Sequence, residues 1–157
     1  MKGIWKQAGD QTGSEVVELG LVLLPLLAVV FLILDVCWLF FAQASLQYAV
    51  GSGVRYAITN QNLSESSIKS VVQQNAMGFL SGQAGLDEIT VNYYSPSNPS
   101  GSPLTGAAAT AGGNVVEVSV SGVTVNPLGF IWPGGPTSIS LTASSTDIIE
   151  SPPPPGS

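Results

Sequence analysis

The chain has 157 residues, 45% of them hydrophobic but only 9% charged, with ten acidic side chains against four basic ones and no histidine. The four cations, Lys2, Lys6, Arg55 and Lys69, are scattered, which argues against a nucleic-acid surface. A single cysteine, Cys37, allows no intrachain disulfide and no thiolate cluster for a metal, and it leaves the redox compartment open.

In chain order, a short polar stretch, Met1–Gly13, carries Lys2 and Lys6 and is followed by Ser14-Glu15-Val16-Val17-Glu18. The run Leu19–Ala42 then reads LGLVLLPLLAVVFLILDVCWLFFA, and seventeen of its residues are Leu, Ile, Val or Phe. A run of this length crosses a hydrocarbon core of roughly 30 Å at about 1.5 Å per residue. Those side chains favour insertion by about 8 kcal/mol, against a cost of about 3 kcal/mol for Asp35, so insertion prevails. Pro25 is tolerated in a membrane helix, at the expense of a local kink. Lys2, Lys6 and the amino terminus on one side, with only Arg55 close on the other, favour a cytoplasmic N-terminus and a head outside. Ala42-Gln43-Ala44 keeps a cleaved signal peptide open as the alternative, although the apolar run exceeds the usual signal core.

The helix is expected to continue past the membrane. Leu46, Ala49, Val50, Gly53, Val54, Ala57 and Ile58 form one helical stripe, with Gly51 and Gly53 as its weak point. The spacing predicts one helix from about Glu15 to Thr59. A second amphipathic helix should start at an N-cap, Ser64, with Glu65 in its first turn, and carry Ile68, Val71, Val72, Ala76, Phe79 and Leu80 before ending at Gly82.

From there the period changes to two. Ile89/Val91/Tyr93, Val116/Val118/Val120 and Ile139/Leu141/Ala143 alternate with polar residues, which predicts three half-buried antiparallel strands. The fold class is therefore α+β: a long N-terminal transmembrane and amphipathic helix, a second helix, and a small three-stranded antiparallel sheet. Ser95–Asn114 reads as a long exposed loop, Asn126–Pro133 as an apolar loop covering the core, and Pro152–Pro155 as an extended tail.

Motifs for chemistry are sparse. Ser66-Ser67-Ile68-Lys69 matches S-x-x-K by chance, on an exposed turn with no partner motif. Only Asp87 and Glu88 are adjacent acids, and there is no histidine, cysteine cluster or convergent acid pair for metal or acid–base chemistry, so a non-enzyme without a cofactor is expected. Asn62-Leu63-Ser64 is a glycosylation sequon, relevant only in a host that glycosylates.

The informative stretch is Gly13 to Glu18. A carboxylate at the mouth of a membrane span is costly without a partner. Gly13-Ser14 followed by Glu18, the fifth residue after Gly13, resembles the processing site of type IV pilin-like proteins. Val17-Glu18-Leu19-Gly20-Leu21-Val22-Leu23-Leu24-Pro25-Leu26-Leu27, the acid Asp35, and Gly53-Val54-Arg55-Tyr56-Ala57 together resemble the TadE-like family of minor pseudopilins of tight-adherence (Flp-type) pili. Leu19 stands where that family usually has an aromatic residue.

The resemblance implies a leader at 1–13, cut by a prepilin peptidase between Gly13 and Ser14. It implies Glu18 as the assembly and processing residue, with Pro25, Asp35, Arg55 and Tyr56 as family positions on the helix. After that leader, the residues themselves divide the chain into a transmembrane and amphipathic helix over 14–59, with the membrane span about 19–42, an extracytoplasmic head over 60–150 and a disordered Pro-rich tail over 151–157. The implied partners are the peptidase, other pilin subunits, the membrane platform of the pilus machinery and the bilayer of the bacterial cytoplasmic membrane. A permanently anchored binding module or adhesin, never built into a filament, is the alternative.

Overall fold

A computed structural model of the chain describes residues 11–60, 64–106, 108–126 and 138–150. The apolar loop expected at 126–133, the sequon, most of the leader and the Pro-rich tail lie outside the described residues, apart from Asn126 and Ser64.

The first helix, α1 (Gln11–Thr59), is a single element of 49 residues with Pro25 inside it. It is about 73 Å long at 1.5 Å per residue. It starts upstream of both Gly13 and the expected start at Glu15. Its outer half is amphipathic as the spacing predicts: Ala42, Leu46, Ala49, Val50, Val54 and Ala57 are all buried. Gly51 and Gly53 do not interrupt it. At Gly53 the absence of a side chain is what the packing needs, because a Cβ there would collide with Val72 Cγ2, with Val118 Cγ1 at 3.6 Å and Ile68 Cγ2 at 3.7 Å. The local penalty of about 1 kcal/mol for glycine in a helix is offset by the close approach it permits.

The next helix, α2 (Glu65–Asn75), begins as expected. Ser64 caps it, accepting a hydrogen bond from the Ser67 N–H at 3.4 Å, and Glu65 pairs with Lys69 at 2.8 Å one turn on. It ends earlier than its apolar spacing suggests. Met77 (φ 50°) and Gly78 (φ 90°) turn the chain left-handed, so Phe79 and Leu80 belong to a turn and not to the helix. Gly82 opens a short helix, α3 (Gly82–Asp87), where it was expected to end α2. Two glycines in six residues hide α3 from any periodicity. Gly85 is required there, since a Cβ would strike the Leu80 backbone.

Three strands follow: β1 (Ile89–Tyr94), β2 (Val115–Val125) and β3 (Ile139–Ile148), antiparallel in the order β1-β2-β3. Val91 pairs with Val118, and Val120 with both Ile89 and Ala143. The alternating residues named from the sequence therefore share one face. Strands β2 and β3 run four residues further than the alternation predicted. A bulge between Val120 and Val123, with Gly122 at φ 93°, shifts the inward phase from even to odd numbers, so Val123 and Val125 point to the core after Val120.

The inner face of the sheet is covered by α1 over β2 and β3, and by α2 over β1. Heights along α1 can be read from contacts. Gln43 Nε2 donates to the Thr142 carbonyl at 2.8 Å, and Gly53 lies against Val118. The strand ends Val125 and Ile139 therefore lie towards the apolar half of α1, and Tyr94 and Val115 lie away from it.

The segment Ser95–Asn114 is mostly exposed, as expected, but it is tied down. The Leu104 N–H donates to the Tyr93 carbonyl, Gly113 N–H to Ile149 O and Ile149 N–H to Asn114 O, and Asn114 Nδ2 donates to Ala108 O at 2.8 Å. Ala109 is buried. Backbone pairing, which leaves no trace in hydropathy, orders this stretch.

Val118 is fully buried between Gly53 of α1 and the inner face of the sheet. In the full chain held in detergent, Val118→Asp should lower stability by more than about 3 kcal/mol, because it buries an unpaired charge. Ser144→Asp, on the open face, should change stability by less than about 0.5 kcal/mol. Denaturant titration of both variants measures the difference, and equal effects would contradict this assignment of the faces.

Candidate functional site

The surface that sets this chain apart is the N-terminal half of α1. Eighteen large apolar side chains between Val16 and Phe41 are exposed, and they are distributed around the whole helix. At even ~1 kcal/mol each, moving them out of water is favourable by roughly 20 kcal/mol, more than the whole stability of an ordinary domain of about 5–15 kcal/mol. This helix is long and apolar enough to cross a membrane, and nothing in the described chain buries its most apolar stretch. A helix apolar on all sides belongs in a membrane or inside an assembly.

At the start of this surface, Gly13, Ser14 and Glu18 are all helical and exposed. Nothing lies within 4 Å of where a Gly13 Cβ would stand. Among the described residues no contact calls for glycine there, and glycine within a helix costs about 1 kcal/mol relative to alanine. Ser14 and Glu18 are four residues apart, so they share a helix face about 6 Å from each other along the axis.

The remaining family positions are strung along the helix and do not converge. Pro25 lies within the exposed apolar half. Asp35 is half-buried, one turn from the similarly half-buried Phe31 and Leu39, on the line that continues into the core-facing stripe. Arg55 is exposed, and Tyr56 packs partly against the core. Asp35 and Arg55 are about 30 Å apart along the axis. These residues line a helix, and no cleft gathers them.

The sheet carries two open depressions. One, of about 270 Å³, is lined by Tyr94, Gly101, Glu117 and Thr146 among others. The second, of about 410 Å³, lies beside Glu65, Tyr93, Leu104 and Thr110. Neither assembles a nucleophile with a base, and among the described residues no group of three His, Cys, Asp or Glu side chains could hold a metal. Lys69 of the S-x-x-K match is paired with Glu65, and Ser66 hydrogen-bonds Ser64.

The sequence reading missed one constellation. Trp38, Phe41 and Phe79 form a ring cluster with centroids 5.7–6.1 Å apart, joining the end of the apolar run to the turn after α2. The signal for it was the group of aromatic residues Trp38, Phe40 and Phe41 at the end of the apolar run.

With this geometry established, the comparisons with known proteins bear on the same segment. Residues 13–55 match the family model described as TadE-like protein. The match spans Gly13, Glu18, Pro25, Asp35 and Arg55, and it ends one residue before Tyr56. Over this segment the chain is similar to TadE-like proteins. No curated protein and no solved structure matches the chain.

Tyr93 and Tyr94 border the two depressions, and both phenols are pushed above the ordinary tyrosine value near 10. For Tyr93 the first cause is burial, followed by the charge of Glu65. For Tyr94 it is the hydrogen bond to Glu117. A pKa raised by folding gives stability that is fully present below the unfolded value and is lost as pH rises through the folded one. Folding should therefore weaken above pH ~10. An ultraviolet titration should find Tyr93 and Tyr94 ionising late, and Glu117→Gln should return Tyr94 towards the ordinary value while Tyr93 stays late. A variant titrating like the parent would remove Glu117 as the cause.

Proposed function

We propose that this protein is a minor pilin-like subunit, a pseudopilin, that takes part in assembling a Tad/Flp-type adhesive pilus and performs no catalysis itself. The observation that carries this reading is the two-part character of α1. One half is apolar on every side and begins at Gly13 and Glu18, and the other is amphipathic and docked into a folded head. The TadE-like match over residues 13–55 supports the same reading.

In this reading α1 first holds the subunit in the cytoplasmic membrane, with its N-terminus inside and its head outside. A prepilin peptidase then hydrolyses the Gly13–Ser14 peptide bond. Water adds across it, leaving a carboxylate on Gly13 and a free amine on Ser14. Gly13 offers the protease a scissile position with no side chain in the way, and its helix position is open on all sides.

Cleavage changes the electrostatics of the helix start. Before it, the first turn of α1 contains no acid. After it, the helix starts at Ser14, and Glu15 enters the first turn, where the positive end of the helix dipole favours a carboxylate. The new amine and the Glu18 carboxylate of a neighbouring subunit then neutralise each other in an apolar surrounding, where either charge alone would be costly. An intact leader blocks this pairing, because the Ser14 nitrogen is then an uncharged amide. The other pilus subunits and the membrane platform are the partners the exposed half of α1 meets.

The test is N-terminal sequencing of protein from a piliated host. The mature chain should start at Ser14. Gly13→Leu should leave the precursor uncut, and Glu18→Ala should still be cut in part but fail to assemble. An intact Met1 beside an active prepilin peptidase would instead indicate a permanently anchored binding module, and a start at Ser45 would indicate a secreted head.

A further inference from the structure

The membrane-proximal end of the head carries an apolar feature that the pilin reading does not use. Helix α2 runs antiparallel to the outer half of α1, with Val72 against Gly53 and Met77 beside Ser45, whose Oγ lies 3.7 Å from the Met77 sulfur. The chain thus descends along α1 and turns at Ala76–Leu80, where Phe79 meets Trp38 and Phe41 at 5.8 and 6.1 Å. Trp38 and Phe41 belong to the last turn of the apolar run Leu19–Ala42. Phe79 therefore stands level with the end of the membrane span, and Met77 stands about one turn above it.

Two features of this turn are unfavourable for a head surrounded by water. Met77 is 65% exposed although apolar. Its backbone also sits at φ 50°, a left-handed conformation that is uncommon for residues other than glycine and asparagine. The left-handed pair Met77-Gly78 swings Phe79 onto Trp38 and leaves Met77 largely exposed, with its sulfur accepting from Ser45 Oγ. The sequence has no Asp, Glu, Lys or Arg between Lys69 and Asp87, nor between Asp35 and Arg55.

We propose that the Ala76–Leu80 turn is a second membrane contact, with Phe79 seated with Trp38 and Phe41 in the outer interface of the bilayer and Met77 in the headgroup layer. The occupant is lipid, because the patch is continuous with the helix surface that the bilayer covers and lies at the height where that surface ends. Aromatic side chains are favoured at this depth. The contact is apolar, so it does not depend on anionic lipid or on salt. A helix alone leaves a head free to turn about its axis and lean away. A second contact beside α1 fixes which face of the head looks along the membrane and which looks out.

The proposal rests on α1 spanning the bilayer, and the experiment separates the two. The full chain with Cys37→Ser is reconstituted in phosphatidylcholine vesicles carrying nitroxide lipids. A fluorophore is attached through Met77→Cys, Leu27→Cys or Ser144→Cys, with folding checked by circular dichroism. The probe at 77 should be quenched by a nitroxide near the headgroups at least about twofold more than the probe at 144, at low and at high salt, as expected for an interfacial side chain. Phe79→Ser should reduce that quenching while leaving Leu27→Cys quenched by a deep nitroxide. Quenching at 27 with equal responses at 77 and 144 overturns the second contact alone. No quenching at 27 overturns the membrane span and this proposal with it.

Discussion

The line of small and apolar side chains on α1 from Leu39 to Ala57 is the reference to which the rest of the head is built. Ala42, Leu46, Ala49, Val50, Gly53, Val54 and Ala57 present a low, smooth ridge, against which α2 lies on one side and the sheet on the other. The closest point is Gly53, where Val72 occupies the space a Cβ would need and Val118 of the central strand comes within ordinary contact. Larger side chains on this ridge would push α2 and β2 apart and open the core between them. The head is not a separate body joined to a helix, because the helix supplies one wall of its core.

That shared wall has a mechanical consequence. The same α-helix whose apolar side chains are exposed at Val16–Phe41 is buried in the head from Ala42 onwards, with no linker between. Displacement or rotation of the apolar half is transmitted directly to the sheet. Gln43, which donates to the Thr142 carbonyl of β3, and the Trp38–Phe41–Phe79 cluster reinforce the junction from two sides.

The open face of the sheet is of another character. Tyr94, Glu117 and Thr146 present hydroxyl and carboxylate groups around a shallow depression, and the segment Ser95–Asn114 is folded against the far end of the strands by backbone hydrogen bonds. Its polarity contrasts with the junction and gives the head one side suited to lipid and one suited to water.

Much of this was legible in the residues. The long apolar run, the helical stripe after it, the Ser64 cap and three alternating segments are each local patterns with a period set by backbone geometry, so α1, the start of α2 and the cores of all three strands follow from sequence alone. The Gly13–Glu18 segment and the positions up to Arg55 were readable for the same reason: they lie on one continuous helix and form a linear motif. What only the tertiary structure decided depends on contacts between distant residues. Glycines at 51 and 53 read as a weakness until Val72 was seen to need the space at Gly53. The inward phase of β2 reversed at Gly122 because a bulge, stabilised by pairing with β3 and by the Ser121 N–H on the Glu88 carbonyl, absorbs one residue of register. Phe79 read as one of the closing apolar positions of α2 and became the partner of Trp38, since a left-handed turn at Met77-Gly78 leaves no mark on hydropathy. Periodicity reports which face of an element is apolar, and it is silent on what that face meets.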